Sequence, residues 1–188
     1  MVQHFDFLRE SIRNLRKTGS VARSSRFLCQ AIAEKIDPEK SKVVVELGPG
    51  DGVITEYILR RLQPDTLLVV FEINDAFFEK LKVTFIDEPR IILIHDGAEN
   101  MAVHFNSLNI QEVDYFISGI PFVILPEILS IDIITKCRKW LKTGGAFVQF
   151  HYSPLLIPMY KRIFGNTKTE FIPLNIPPAL VITCTREG

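Results

Sequence analysis

The stretch Val43-Val44-Val45-Glu46-Leu47-Gly48-Pro49-Gly50-Asp51-Gly52 constrains this chain more than any other. A run of β-branched residues enters a turn with glycine at every second place, and a helical pattern begins at Val53. That order reads as strand, tight turn, helix. Glycine tolerates φ > 0, and its missing Cβ lets a ligand approach the backbone closely. The first N–H groups of the following helix then face that ligand.

The spacing separates two readings of the turn. The dinucleotide fingerprint G-x-G-x-x-G needs a third glycine where this chain has Val53. The pattern here is E-x-G-x-G-x-G, which favours S-adenosylmethionine over NAD. A second apolar strand, Leu67 to Glu72, ends in an acid about twenty residues on, where a carboxylate can accept both ribose hydroxyls. A glycine turn that merely packs a strand on a helix is the structural alternative.

Length and composition set the frame. The 188 residues predict one domain over 1–188, with residues 1–40 as a helical cap. Formal net charge is zero, which argues against a broad nucleic-acid surface. Residues 1–26 nevertheless carry six cations against two acids, a net +4, and the remainder carries −4. Cys29, Cys137 and Cys184 lie far apart without metal-ligand spacing and read as reduced core thiols of a cytoplasmic protein, so no metal is expected. No apolar run reaches the length of a membrane span, and the N-terminus lacks a signal-peptide pattern.

Along the chain, residues 4–17 predict an amphipathic helix with Phe5, Leu8, Ile12 and Leu15 on one face and Arg9 and Arg16 beside it. Such a helix suits peripheral contact with the inner face of a membrane. It suits equally a lid packed on its own domain. Ser24 and Ser25 precede a second helix running to about Ile36. A third strand, Arg90 to Ile94, leads into His95-Asp96-Gly97-Ala98, where Asp96 is placed to accept an adenine amino group or to be a solvated loop acid. Asp114 to Ile117 is a fourth strand. It leads into Ser118-Gly119-Ile120-Pro121-Phe122, read as an exposed, stiff loop in which Ser118 contacts cofactor or acceptor and Phe122 covers a substrate or joins the core. A helix from about Pro126 to Trp140 stops at Gly144-Gly145, and a fifth strand, Ala146 to Phe150, ends in His151-Tyr152. Two last strands pair as an antiparallel hairpin. The predicted fold is α/β and Rossmann-like: a mostly parallel seven-stranded sheet with an antiparallel C-terminal hairpin and helices on both faces. Ligands of such sheets lie beyond the carboxyl ends of the strands.

These motifs in this order resemble class I S-adenosylmethionine-dependent methyltransferases, and more closely the bacterial phospholipid N-methyltransferases. The stretches that carry the resemblance are Gly19 to Arg26, Val44 to Gly52, His95 to Ala98, Ser118 to Pro121 and Gln149 to Tyr152. The chain is also similar to ribosomal RNA adenine dimethyltransferases. Those enzymes usually carry Asn-Leu-Pro-Tyr where this chain has Ser-Gly-Ile-Pro-Phe, and they add a helical RNA-binding domain, whereas this sequence ends at Gly188. The phospholipid family typically has proline in place of Arg23 and glycine in place of His95. The resemblance implies that Glu46, Gly48, Gly50 and Gly52 hold the methionine part of S-adenosyl-L-methionine, Glu72 the ribose and Asp96 the adenine, with Ser24 and Ser25 closing over the methionine end. It implies methylation of an amine head group of the phosphatidylethanolamine type. Tyr152, with His151 as alternate, is expected to face that amine. The competing readings are an rRNA adenine N6-methyltransferase and a cofactor-binding module without catalysis.

Overall fold

The computed structural model describes residues 23–188. The proposed helix over residues 4–17, and most of the basic leading segment, lie outside the described residues. The chain forms seven strands: β1 (Val43–Leu47), β2 (Leu67–Phe71), β3 (Ile91–Ile94), β4 (Val113–Ser118), β5 (Leu141–His151), β6 (Lys168–Ile172) and β7 (Ala179–Thr185). They lie in one sheet in the order β3-β2-β1-β4-β5-β7-β6. The first five are parallel, and β7 runs antiparallel to both β5 and β6. This is the Rossmann-like arrangement expected from the strand pattern.

Alternation along the strands builds a core on each face. Val44, Leu68, Val70, Ile117, Val148 and Val181 face α1 (Arg26–Ala33) and α2 (Val53–Arg61). Val45, Leu47, Val69, Phe71, Phe116 and Phe147 face α4 (Met101–Ser107), α5 (Glu127–Trp140) and α6 (Ile157–Phe164). Helix α3 (Asp75–Thr84) follows β2 and is capped by the Asn74 side chain, which accepts from the Phe77 N–H at 3.1 Å. Ser25 caps α1 in the same way.

Three sequence expectations change. Helix α4 occupies a stretch in which no element was expected. Helix α5 passes straight into β5, with Leu141 already extended, so Gly144-Gly145 is not the helix stop. Instead Gly144 N–H donates to Arg186 O and Gly145 O accepts from Arg186 N–H, which pins the start of β5 to the C-terminal segment. The stretch after β4 is not an exposed loop. Residues Phe122–Ile124 form a 3-10 turn that sends Phe122 into the core and leaves Val123 and Ile124 outside.

The register puts one edge of the sheet to use. Leu47 pairs with Ser118, and Ser118 with Gln149. His151 pairs with Leu180, and Ile172 with Ala179. The ends of β1, β4 and β5 and the turn between β6 and β7 therefore share the carboxyl edge.

Candidate active site

Glu46 is the penultimate residue of β1 and is buried on the α1/α2 side of the sheet. Its Oε2 accepts from Thr55 Oγ1 of α2 at 2.6 Å. Burial pushes its pKa up to about 8, Thr55 opposes the rise, and nearby Glu72 adds to it. Glu46 has no cation against it among the described residues. A buried carboxyl in that state suits a ligand that brings a positive charge to it, as a sulfonium amino acid does.

Beyond Glu46 the backbone turns through Gly48, Gly50 and Gly52, all at positive φ. Gly52, at φ 85°, has a second constraint, since a Cβ there would stand 2.9 Å from Leu81 Cδ2 of α3. Gly119 has the tightest approach to backbone. A Cβ there would meet Gly48 O at 2.6 Å, and its N–H donates to Leu47 O at 2.8 Å. The loops after β1 and β4 thus touch backbone to backbone.

Glu72, directly after β2, accepts from the Gly50 N–H at 3.1 Å through Oε2 and from the Asn74 N–H at 2.7 Å through Oε1. It ties the glycine turn to the start of α3. Asp96, two residues beyond β3, accepts from the Gly97 N–H at 2.7 Å and Asn100 Nδ2 at 2.9 Å through Oδ1. Its Oδ2 lies 2.7 Å from His104 Nε2. Burial opposes its ionisation, but the bonds from His104, Asn100 and Gly97 outweigh it and hold the carboxyl below the usual range. Neighbouring His95 stacks on Phe78 at 4.3 Å and pairs with Asp75 at 3.1 Å.

Ser24 and Ser25 come to the same edge. Arg23 Nε pairs with Asp51 Oδ2 of the glycine turn at 3.0 Å. The Ser25 N–H donates to Asn175 Oδ1 at 2.8 Å, and Ser25 Oγ accepts from the Leu28 N–H at 3.3 Å. Asn175, in the turn between β6 and β7, is buried, and its Nδ2 donates to Pro177 O at 2.7 Å. Ser25 and Asn175 are therefore joined, although they come from distant parts of the chain.

Tyr152 and His151 part company. Tyr152 is half-exposed and leans edge-on against Phe150. Partial burial pushes its hydroxyl pKa up, so it stays protonated at neutral pH. His151 points to the opposite face of the sheet, where its Nε2 lies 2.7 Å from the Tyr160 hydroxyl. Burial lowers its pKa to about 4, so the ring is neutral. Ser118 is buried, and its Oγ accepts from the Ile120 N–H at 3.3 Å. Gln149, its neighbour in register, donates through Nε2 to Ile120 O at 3.1 Å and Phe150 O at 2.9 Å. Both side chains brace the Ser-Gly-Ile-Pro turn from beneath.

Thr55, Gln149 and Asn175 were not singled out from the sequence. Thr55 lies nine residues after Glu46, two turns of register that only the strand-turn-helix geometry closes. Asn175 has a faint signal, an amide between aliphatics in Pro173-Leu174-Asn175-Ile176-Pro177-Pro178.

Comparison with known proteins agrees with this arrangement. Residues 16–146 match the model of the ribosomal RNA adenine dimethylase family. An ornithine lipid N-methyltransferase from Singulisphaera acidiphila is 29% identical over 98% of this chain and 96% of its own length. The ribosomal RNA small subunit methyltransferase A of Mycoplasma mycoides is 31% identical over 58% of this chain, a match spanning 42% of that enzyme. Among solved structures, an O-methyltransferase from Bacillus cereus in complex with SAH superposes with a TM-score of 0.71 over 95% of this chain and 90% of that one, at 9% identity. The chain belongs to the ribosomal RNA adenine dimethylase family and is an S-adenosylmethionine-dependent methyltransferase.

Proposed function

We propose that this enzyme N-methylates the amine head group of a membrane lipid of the phosphatidylethanolamine or ornithine-lipid type. The observation that carries this reading is the end-to-end match to a lipid N-methyltransferase, which includes the hairpin bearing Asn175. The match to the rRNA enzyme spans less than half of that protein. Adenine N6 of RNA is the second reading, favoured by the family model. Among the described residues no helix is long and apolar enough to cross a membrane, so lipid is to be met at a bilayer surface.

S-adenosylmethionine supplies a sulfonium methyl for in-line displacement by an amine. The residues then divide the work. Glu46 receives the positively charged amino-acid end and ionises as that charge arrives. Glu72 accepts the ribose hydroxyls, and Asp96 keeps lone pairs for the adenine amino group. Ser24 and Ser25 border the methionine end. Ser118 and Gln149 fix the turn over the reacting centre, so that orientation and exclusion of water supply the rate. A lipid amine has a pKa near ~10 and must lose a proton, at about 4 kcal/mol at pH 7. Tyr152, protonated and packed against Phe150, orients the amine rather than taking its proton. His151, neutral and paired with Tyr160, keeps the core beneath the site uncharged.

Methyl transfer from labelled S-adenosylmethionine tests this, with phosphatidylethanolamine vesicles, ornithine-lipid vesicles and bulk RNA as parallel acceptors. Label in either lipid is expected. Label in RNA alone overturns the proposal in favour of the second reading.

A further inference from the structure

We infer that the carboxyl edge of the sheet carries an apolar rim that seats directly in the bilayer interface. The inference deepens the lipid-methylation reading above and rests on it for its occupant.

Single exposed aliphatics are ordinary on a protein surface, but a run of them around a binding edge is not. Among the described residues, six of the nine exposed large aliphatics stand at that edge, the others being Val83, Ile86 and Val103. Val123, Ile124 and Ile128 follow β4, Leu155 follows β5, and Leu174 and Ile176 form the β6–β7 turn. Ile176 is 84% exposed, Ile128 81%, Leu155 68% and Leu174 60%. These values leave nearly whole side chains in water. The register argument above puts all three loops on the edge that holds Glu46, Ser118 and Tyr152. The Ser25–Asn175 bond ties the β6–β7 turn to α1, so the rim continues to the start of α1.

The chemistry of these loops selects the occupant. Residues 121–128, 152–158 and 173–179 contain no lysine or arginine, and Glu127 is their one charged residue. An RNA backbone needs cations against its phosphates, and these loops offer none. A bilayer interface needs aliphatics facing the acyl chains and cations set back at phosphate level. Arg23 pairs with Asp51 at the glycine turn, Arg26 begins α1, and Arg162 of α6 pairs with Glu127 of the rim at 3.8 Å. Seven of the chain's eleven prolines fall in the three loops. Such stiff loops give up little conformational freedom on insertion. Arg23 is held beside the glycine turn by Asp51 at 3.0 Å, which sets a cation at this same edge.

The test uses the full chain and measures binding without turnover. Leu174→Trp is mixed with phosphatidylcholine vesicles containing a minor share of phosphatidylglycerol. The expected result is a blue shift of the new indole emission and its quenching by bromines on the acyl chains, with Trp140 of the unmodified protein as the reference. The double variant Leu174→Asp, Ile176→Asp is expected to bind the same vesicles about tenfold or more weakly. Its affinity for S-adenosylmethionine should be unchanged, which establishes that it folds. An indole that stays in water while the protein sediments with vesicles overturns the inference, as does undiminished vesicle binding by the double variant. Emission already blue-shifted without vesicles, with a mass that falls to one chain in the double variant, overturns it in favour of self-association. Rim insertion with label only in RNA would sink the lipid-substrate reading alone. Label in lipid without rim insertion would sink the rim alone.

Discussion

Asn175 Oδ1 accepts the backbone N–H of Ser25 at 2.8 Å, across 150 residues of sequence. This bond closes the site. It holds the start of α1 against the β6–β7 turn. Asn175→Ala leaves the Ser25 N–H and Pro177 O without their partner in a partly buried place. A loss of about 2 kcal/mol in unfolding free energy is expected from the unpaired groups. At this chain length that corresponds to a fall of about 4–8 °C in Tm. Methyl transfer should fall further than stability does, because Ser25 at the methionine end loses its fixed position. Thermal melts and turnover on the same preparation check the two together.

Glu46 and His151 give opposite pH dependences to stability. Glu46 has its pKa raised in the folded state to about 8, so its contribution is complete below its unfolded value and drains away as pH rises through 8. His151 has its pKa lowered to about 4, so its contribution is complete above its unfolded value of 6.5 and drains away as pH falls to 4. Where the two windows overlap, between their unfolded values of 4.5 and 6.5, they offset each other. Tm of the ligand-free enzyme should therefore fall between pH 6.5 and 8. Glu46→Gln should remove that fall and leave the acid-side loss. Saturating S-adenosylmethionine should also remove it, by supplying the missing charge. A melt series in pH with and without cofactor gives the answer.

Gly119 and Gly144 separate close approach from backbone freedom. Gly144 is at φ 83° with nothing near its absent Cβ, so Gly144→Ala should cost only the left-handed penalty of about 1–2 kcal/mol. Gly119→Ala drives a methyl into the Gly48 carbonyl, and backbone must shift. Overpacking of that kind costs about 1–3 kcal/mol. The larger effect should be on S-adenosylmethionine affinity, since the loops after β1 and β4 would separate. Isothermal titration on both variants should show weakened binding in Gly119→Ala and near-normal binding in Gly144→Ala.

The sheet was legible because its signals are local. Val43 to Leu47 and Leu67 to Phe71 are continuous apolar runs ending in acid or glycine, and the hairpin leaves no room for a helix. The misreadings have long-range causes. Gly144-Gly145 looks like a helix stop until Arg186, near the other end of the chain, takes its hydrogen bonds. Phe122 looks like a substrate cover until the 3-10 turn sends it inward and the Ser130 hydroxyl donates to its carbonyl. Helix α4 is only seven residues long, with Met101 and Phe105 as its buried pair, too short for periodicity to declare itself. In the site, strand-end acids could be named from spacing alone. Asn175 could not, since its partner Ser25 lies 150 residues away in sequence.

Tyr152 offers the most direct test of the proposed chemistry. If its hydroxyl orients the amine, Tyr152→Phe keeps the ring on Phe150 and removes only the oxygen. Methyl transfer should then fall about tenfold to a hundredfold, as for loss of one positioning hydrogen bond. S-adenosylmethionine affinity and Tm should stay near those of the unmodified enzyme, because the side chain is half-exposed. The pH dependence decides the role. An orienting phenol leaves the alkaline limb of the rate, set by the substrate amine, where it was. A phenol acting as base would take that limb away with it. His151→Gln supplies the contrast. It should lower Tm through loss of the Tyr160 contact and leave the limb unmoved, since that ring faces the core. Steady-state rates across pH for the three proteins on the lipid acceptor distinguish these outcomes, and an unchanged rate for Tyr152→Phe would remove Tyr152 from the mechanism.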